Sequence, residues 1–282
     1  MQTETITSLK ISAARVRKMT LEAIHSAKAG HPGGALSSAD ILTYLYKKEM
    51  NIDPQNPKDP DRDRFVLSKG HASAGLYGIL AECGYIPKED IKTFRKADSY
   101  LQGHPEMKGV PGVDMSTGSL GQGISAACGM ALAAKIDGKD YRVYTIIGDG
   151  ESEEGQVWEA LMFAAHYKLD NLTAFLDFNG LQIDGDITKV MNPTPFDKKF
   201  EAFNWNVIII DGHNYEEIEE AVNKAKETKD KPTIIIANTT KGKGVSFMEN
   251  EAGWHGIAPN DEQYEAAVAE LDEYIKSLGG EF

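Results

Sequence analysis

Apolar and polar positions along the chain alternate between two periods, and the switch from one to the other marks its elements. From Ser8 to Ala29, Leu9, Ala13, Val16 and Ile24 fall on one stripe, the spacing of an amphipathic helix. Gly30-His31-Pro32-Gly33-Gly34 stops it, because neither the glycines nor the proline favour continuation. A second helix is expected from about Ser38 to Glu49, capped by Ser37 or Ser38. Asp53 to Asp63, rich in proline and aspartate, reads as a surface connection. Short apolar runs predict strands at Arg64–Leu67, Tyr141–Ile147, Leu172–Phe178, Asn206–Ile210 and Thr233–Ala237. Helical patterns cover His71 to Cys83, Ile124 to Ile136, the stretch bearing Val157, Leu161, Ala164 and Ala165, Tyr215 to Lys226, and a charged C-terminal segment from Asp261 to Ser277.

Strands that alternate with helices, with no hairpin dipeptide between adjacent strands, predict an α/β fold: a doubly wound, mostly parallel sheet with helices on both faces. No internal repeat or linker divides the 282 residues, so one domain spanning 1–282 is expected. The sharpest local signal lies where the run ending at Ile147 meets Gly148-Asp149-Gly150 and the next strand delivers Asn179-Gly180, thirty residues after Asp149. If those strands are parallel neighbours, Asp149 and Asn179 emerge at the same sheet edge. Asp149 offers a carboxylate, Asn179 an amide oxygen and Leu181 a backbone carbonyl, the oxygen donors that Mg²⁺ prefers alongside water and phosphate. Gly150 leaves room for a phosphate, and a helix opening near Glu153 points N–H groups toward an anion. An ordinary turn at GDG and a hairpin at Asn179-Gly180 are the plain alternative.

Composition narrows the function. A formal charge of −13 argues against a nucleic-acid surface, though a local basic pocket can still take an anionic substrate. No stretch approaches a membrane span, and the N-terminus lacks an apolar signal region, so a cytoplasmic protein is expected. Cys83 and Cys128, the two cysteines, lie in apolar helical patterns and read as packing residues. Of seven histidines, His31, His71, His104, His213 and His255 touch or follow glycine in expected loops. Gathered at one edge, imidazoles can hydrogen-bond phosphate and move protons near neutral pH. His25 and His166 sit in helical patterns and read as structural; for His213, in Asp-Gly-His-Asn, a turn role weighs as much as a functional one.

Six motifs, in one order, carry a resemblance to the N-terminal part of transketolase across nearly the whole chain: Gly30-His31-Pro32-Gly33, Ser68-Lys69-Gly70-His71, Gly103-His104-Pro105-Glu106, Gly118-Ser-Leu-Gly-Gln-Gly123, the GDG-to-Asn unit, and Trp254-His255-Gly256. The resemblance implies a thiamine-diphosphate-binding fold, with thiamine diphosphate and Mg²⁺ (Ca²⁺ or Mn²⁺ as substitutes) as cofactors. It implies a metal site of Asp149, Asn179 and the Leu181 carbonyl. Gly150 would meet the diphosphate, while Gly118, Leu120 and Ile183 would flank the cofactor rings. By the same resemblance His31, His71, His104 and His255 would line the substrate channel, His71 and His255 also near the diphosphate and His104 near the donor's hydroxyketone end. Glu154 matches a glutamate that joins two cofactor sites across a dimer interface; its plain alternative is a first-turn carboxylate favoured by the helix dipole.

Full-length members of that family continue through a pyrimidine-binding domain and a C-terminal domain, whereas this sequence ends at Phe282. The expectation is therefore one subunit of a split transketolase, completed by a separate C-terminal subunit in an α₂β₂ assembly. Together they would move a two-carbon ketol unit from a ketose phosphate of the xylulose 5-phosphate type to an aldose phosphate, through a carbanion held on thiamine diphosphate. The α subunit of a 2-oxoacid dehydrogenase carries GDG-to-Asn but lacks these histidine loops. Deoxyxylulose-phosphate synthase shares the Lys241-Gly-Lys-Gly loop but is a longer chain. A non-catalytic subunit that kept the fold is the reading from another class.

Overall fold

The protein is described by a computed structural model over residues 1–281. Five strands form its sheet: β1 (Arg64–Leu67), β2 (Val143–Gly148), β3 (Leu172–Phe178), β6 (Asn206–Asp211) and β7 (Thr233–Asn238). They are ordered β1-β2-β3-β7-β6, with every pairing parallel, as the alternating pattern predicts. A small antiparallel hairpin, β4 (Leu181–Gln182) with β5 (Gly185–Asp186), follows β3 and is not expected from the sequence pattern. Its strands are too short for alternation to register.

The helices are α1 (Thr3–Ala27), α2 (Pro32–Ser37), α3 (Ala39–Tyr44), α4 (Ser73–Glu82), α5 (Gln122–Asp137), α6 (Gly155–His166), α7 (Ile187–Val190), α8 (Phe196–Ala202), α9 (Tyr215–Glu227) and α10 (Asp261–Ser277). Alternate residues of the buried strands feed two cores. Phe65, Tyr144, Phe175 and Ile235 pack with α1, α3, α4 and α9 on one face. Val66, Ile147, Leu176 and Ile234 pack with α5, α6 and α8 on the other. A third cluster, including Ala14, Leu21, Leu271 and Ile275, seats α10 on the outer side of α1. No helix among the described residues is long and apolar enough to cross a membrane.

Two local expectations change. The Gly30–Gly34 stretch is not all loop: Pro32 occupies the first turn of α2, where its fixed φ suits a helix and its missing N–H costs nothing. Neither Ser37 nor Ser38 caps α3, because the chain is already helical there; the Ser38 hydroxyl donates back to the Gly34 carbonyl at 3.0 Å, while the Ser37 hydroxyl donates to Asp177 at 2.6 Å. The helix beyond continues as one wide turn, Leu45–Glu49.

Parallel strands put all their carboxyl ends at one sheet edge, where crevices for ligands form. Close approach holds that edge together where α5 crosses the end of β1. A Cβ added at Gly123 would lie 2.5 Å from the Ser68 Cα, while the Ser68 hydroxyl accepts from the Ile124 N–H at 3.0 Å. Gly123→Ala should therefore cost about 1–3 kcal/mol through overpacking against backbone, read as a lowered urea midpoint with an unchanged slope.

Candidate active site

β2 and β3 pair in register from Val143↔Leu172 to Gly148↔Asp177, so the GDG turn and the Asn179 turn leave the sheet side by side. The Asp149 carboxylate is buried; its two oxygens accept from the Gly150 N–H at 2.8 Å and the Gly180 N–H at 2.6 Å. Asn179 follows, with its amide nitrogen donating to Asp177 Oδ2 at 3.3 Å and its Oδ1 accepting from the Leu181 N–H at 3.2 Å. A Cβ built on Gly150 would meet Gln182 at 3.3 Å, and at Gly180 the φ of 77° suits a glycine.

Below this turn pair lies an ionic floor that motif reading did not single out. Asp177, the penultimate residue of β3, is fully buried and accepts from Lys69 Nζ at 2.5 Å, Ser37 Oγ at 2.6 Å and Thr239 Oγ1 at 2.5 Å. Burial would raise its pKa, but Lys69 and these hydrogen bonds hold it below the ordinary carboxylate value. Asp149 is pushed the other way, by burial and by Asp177. Lys241, also buried, donates to the Leu181 carbonyl at 2.9 Å and meets His255 Nδ1 at 2.9 Å; burial lowers its pKa. The signal was in the sequence: Asp177 is an acid inside an apolar strand, and Lys69 and Lys241 each lie beside a glycine at a strand end.

Three imidazoles roof the cleft. Ring centroids of His31, His71 and His255 lie 5.2, 5.6 and 5.3 Å apart, pair by pair. Burial is the main reason that all three pKa values fall, helped at His71 and His255 by Lys69 and Lys241; His255 drops to about 3. The trio is therefore neutral near pH 7. His31 Nδ1 is buried without a hydrogen-bond partner in the structure, an orphan that points to something absent.

The cleft brings together His31, His71, Gly118, Leu120, Asp149, Gly150, Asn179, Leu181, Ile183 and His255, ten of the residues singled out from the sequence. It leaves two outside. His104 is exposed at the mouth, with its ring against Gly118: a Cβ added there would lie 3.2 Å from the His104 Cγ. Glu154 is exposed at the N-terminal end of α6 and does not line the cleft. The carboxylate that does turn inward is Glu151, which accepts from Ser68 Oγ at 2.6 Å and from the N–H groups of Gly121 and Gly148, each at 2.9 Å. It ties the Gly118–Gly123 turn to the end of β2. Nothing in its spacing separates it from Glu153 or Glu154; only the tight turn at residues 150–153 points it inward.

Residues 8–272 match the family model described as "Transketolase, thiamine diphosphate binding domain". The chain is 50% identical over 265 residues to the 6-deoxy-6-sulfo-D-fructose transketolase subunit SqwG of Clostridium sp. (strain MSTE9), covering 94% of this chain and 96% of that one. It is 45% identical over 278 residues to an apulose-4-phosphate transketolase subunit of Phocaeicola vulgatus, covering 99% and 98%. The crystal structure of transketolase from Campylobacter jejuni superposes with a TM-score of 0.89 at 37% identity, covering all of this chain but 44% of that longer one. Fold and site thus define a thiamine-diphosphate-binding domain of the α/β class. The chain belongs to the transketolase family, matching the length of its short subunits and under half of the long Campylobacter chain.

Two outcomes test this electrostatic picture. His31, His71 and His255 have folded pKa values below their ordinary 6.5, so unfolding takes up protons. Their contribution to stability is complete above that value and drains away as pH falls toward the folded values. Urea unfolding from about pH 7 to about pH 5 should show declining stability, and His71→Asn should flatten the slope; an unaltered slope would assign the protons elsewhere. Separately, Asp177→Leu leaves the Lys69 ammonium buried and unpaired and should cost about 3–5 kcal/mol, most of it recovered when Lys69→Met is added, as judged by thermal unfolding.

Proposed function

We propose that this chain is the diphosphate-binding subunit of a split transketolase, active only with a separate subunit. One observation carries the reading: a buried carboxylate, an amide oxygen and a backbone carbonyl meet at adjacent strand ends beneath three neutral imidazoles. The donor set suits Mg²⁺, which binds through one or two protein oxygens and completes its shell with phosphate and water. Among the described residues no group of three or more histidine, cysteine or acidic side chains is arranged to hold a metal unaided, which fits an ion shared with a diphosphate. Asp149, Asn179 and the Leu181 carbonyl would hold the ion, and Gly150 would admit the diphosphate. Thiamine diphosphate supplies an electron sink for the two-carbon unit.

The chain's own residues would orient and exclude. Leu120 and Ile183 line the cleft where cofactor rings would lie; Ile183 is 69% exposed and waits for cover. Neutral His31, His71 and His255 can each donate one N–H to an anionic or hydroxyl oxygen and accept at the other nitrogen. His104, at the mouth, suits the outer end of a substrate. The cleft has a volume of about 260 Å³. Exposed Ile183 at the cleft supports contact with another chain, within an α₂β₂ assembly. The relatives' names widen the donor class from pentulose phosphates to modified ketoses, so the substrate is best framed as an anionic ketose.

Calorimetric titration of the purified chain should show thiamine diphosphate binding only with Mg²⁺ present, weakened at least about 10-fold by Asp149→Asn. Mixed with its partner subunit, the chain should transfer a ketol unit from xylulose 5-phosphate, 6-deoxy-6-sulfofructose or apulose 4-phosphate to an aldose phosphate. Transfer by the single chain would overturn the split-subunit reading, and Mg²⁺-independent binding would overturn the metal site.

A further inference from the structure

The Asp211-Gly212-His213-Asn214 turn, whose sequence leaves a turn role and a functional role equally open, has a side chain facing a loop of the cleft. The turn's backbone is already secured without the imidazole. The Gly212 N–H donates to the Asn238 carbonyl at 2.8 Å, the His213 N–H to Asp211 Oδ1 at 2.8 Å, and Asn214 caps α9. The His213 ring is instead committed at both nitrogens. Nδ1 lies 2.7 Å from Asp40 Oδ2, and Nε2 lies 2.9 Å from the Thr240 backbone nitrogen.

That second contact decides the tautomer. A backbone N–H can only donate, so Nε2 must present its lone pair, and the ring proton sits on Nδ1 facing Asp40. Asp40 is in turn immobilised in the interior: Arg17 donates to Oδ2 at 2.6 Å and to Oδ1 at 3.3 Å, and the Tyr215 hydroxyl donates to Oδ1 at 3.1 Å. Asp40 cannot release His213 without leaving the Arg17 guanidinium, itself buried, without its partner.

Thr240 sits between the two residues that enter the cleft from this loop. Thr239 reaches Asp177, and Lys241 reaches the Leu181 carbonyl and His255. Further along, the loop is tightly confined: Gly242, at φ 76°, would place a Cβ 2.3 Å from the Met248 carbonyl, and its N–H donates to the Gly33 carbonyl at 3.0 Å. At Thr240 itself the backbone N–H has the imidazole as its partner.

We infer that His213 is a positioning residue for the cleft: held by Asp40 as the Nδ1–H tautomer, it receives the Thr240 N–H and so fixes where Lys241 presents its ammonium. His213 does not line the cleft and touches no position proposed for cofactor or substrate; it acts through the loop. The inference rests on the cofactor reading above for its consequence, but not for its geometry.

The test uses two amides that each copy half of the ring. In the full chain, His213→Gln can place an acceptor near Nε2, whereas His213→Asn reaches only the Nδ1 position. Amide exchange at Thr240 and Lys241 should be accelerated in His213→Asn and restored toward the parent rate in His213→Gln, with or without cofactor. Affinity for Mg²⁺ and thiamine diphosphate, measured well below the unfolding temperature, should fall about 10-fold in His213→Asn and recover in His213→Gln, as for partners that orient a ligand set. A purely structural histidine would make both variants lose thermal stability while leaving exchange at those two amides and cofactor affinity alike in the pair; that result overturns the inference. If the parent chain fails to bind the cofactor, the functional reading falls, and the exchange comparison still decides the role of His213.

Discussion

A single carboxylate holds the site in register. Asp177 lies next to the end of a strand that is buried on both faces, and removing its charge from water would be prohibitive without compensation. Compensation arrives from three separate segments, Ser37 at the end of α2, Lys69 after β1 and Thr239 after β7, with a local bond from Asn179 two residues on. Satisfying the charge therefore draws the three distant segments onto the end of β3. Lys69 adds a fifth tie through the Gly34 carbonyl at 2.5 Å, which draws the His31 loop onto the same floor. A buried ion pair of this kind contributes little net stability but penalises every arrangement in which a loop strays.

The floor also sets the electrostatics above it. Three buried carboxylates, Asp149, Glu151 and Asp177, face two buried ammonium groups, Lys69 and Lys241. The lysines leave no excess of positive charge, so the cleft is not a basic patch in an acidic protein of formal charge −13. Recognition of an anion there depends on directed groups: imidazole N–H donors, backbone N–H groups, and a metal ion bound through oxygen. Neutral imidazoles suit this setting because a protonated trio within 5.2–5.6 Å of one another would repel itself and the nearby lysines.

Much of the fold was legible because the parallel strands are short with apolar centres and the helices keep their period. Strand boundaries fall within a residue or two of expectation, and Asp149 and Asn179 meet because strand pairing dictates it. What escaped detection was encoded in three dimensions. Lys69 and Lys241 stand 172 positions apart in sequence, and no periodicity says that both ammonium groups turn inward. The β4-β5 hairpin was hidden by its length, and α2 by a proline that reads as a breaker inside a helix but as a starter at its first turn.

The contrast between Glu151 and Glu154 shows how narrow such distinctions are. Both sit in the link between β2 and α6, three residues apart. The tight turn at 150–153 carries Glu151 back under the sheet edge, where it joins Ser68, Gly121 and Gly148, while the chain reverses to an extended conformation at Glu154 and faces it outward. Gly121, at φ 80°, lies between them: its N–H is held by Glu151, and a Cβ added to it would approach the Glu154 Cβ to 3.1 Å. One turn thus braces the cleft from inside and presents a carboxylate to whatever packs outside.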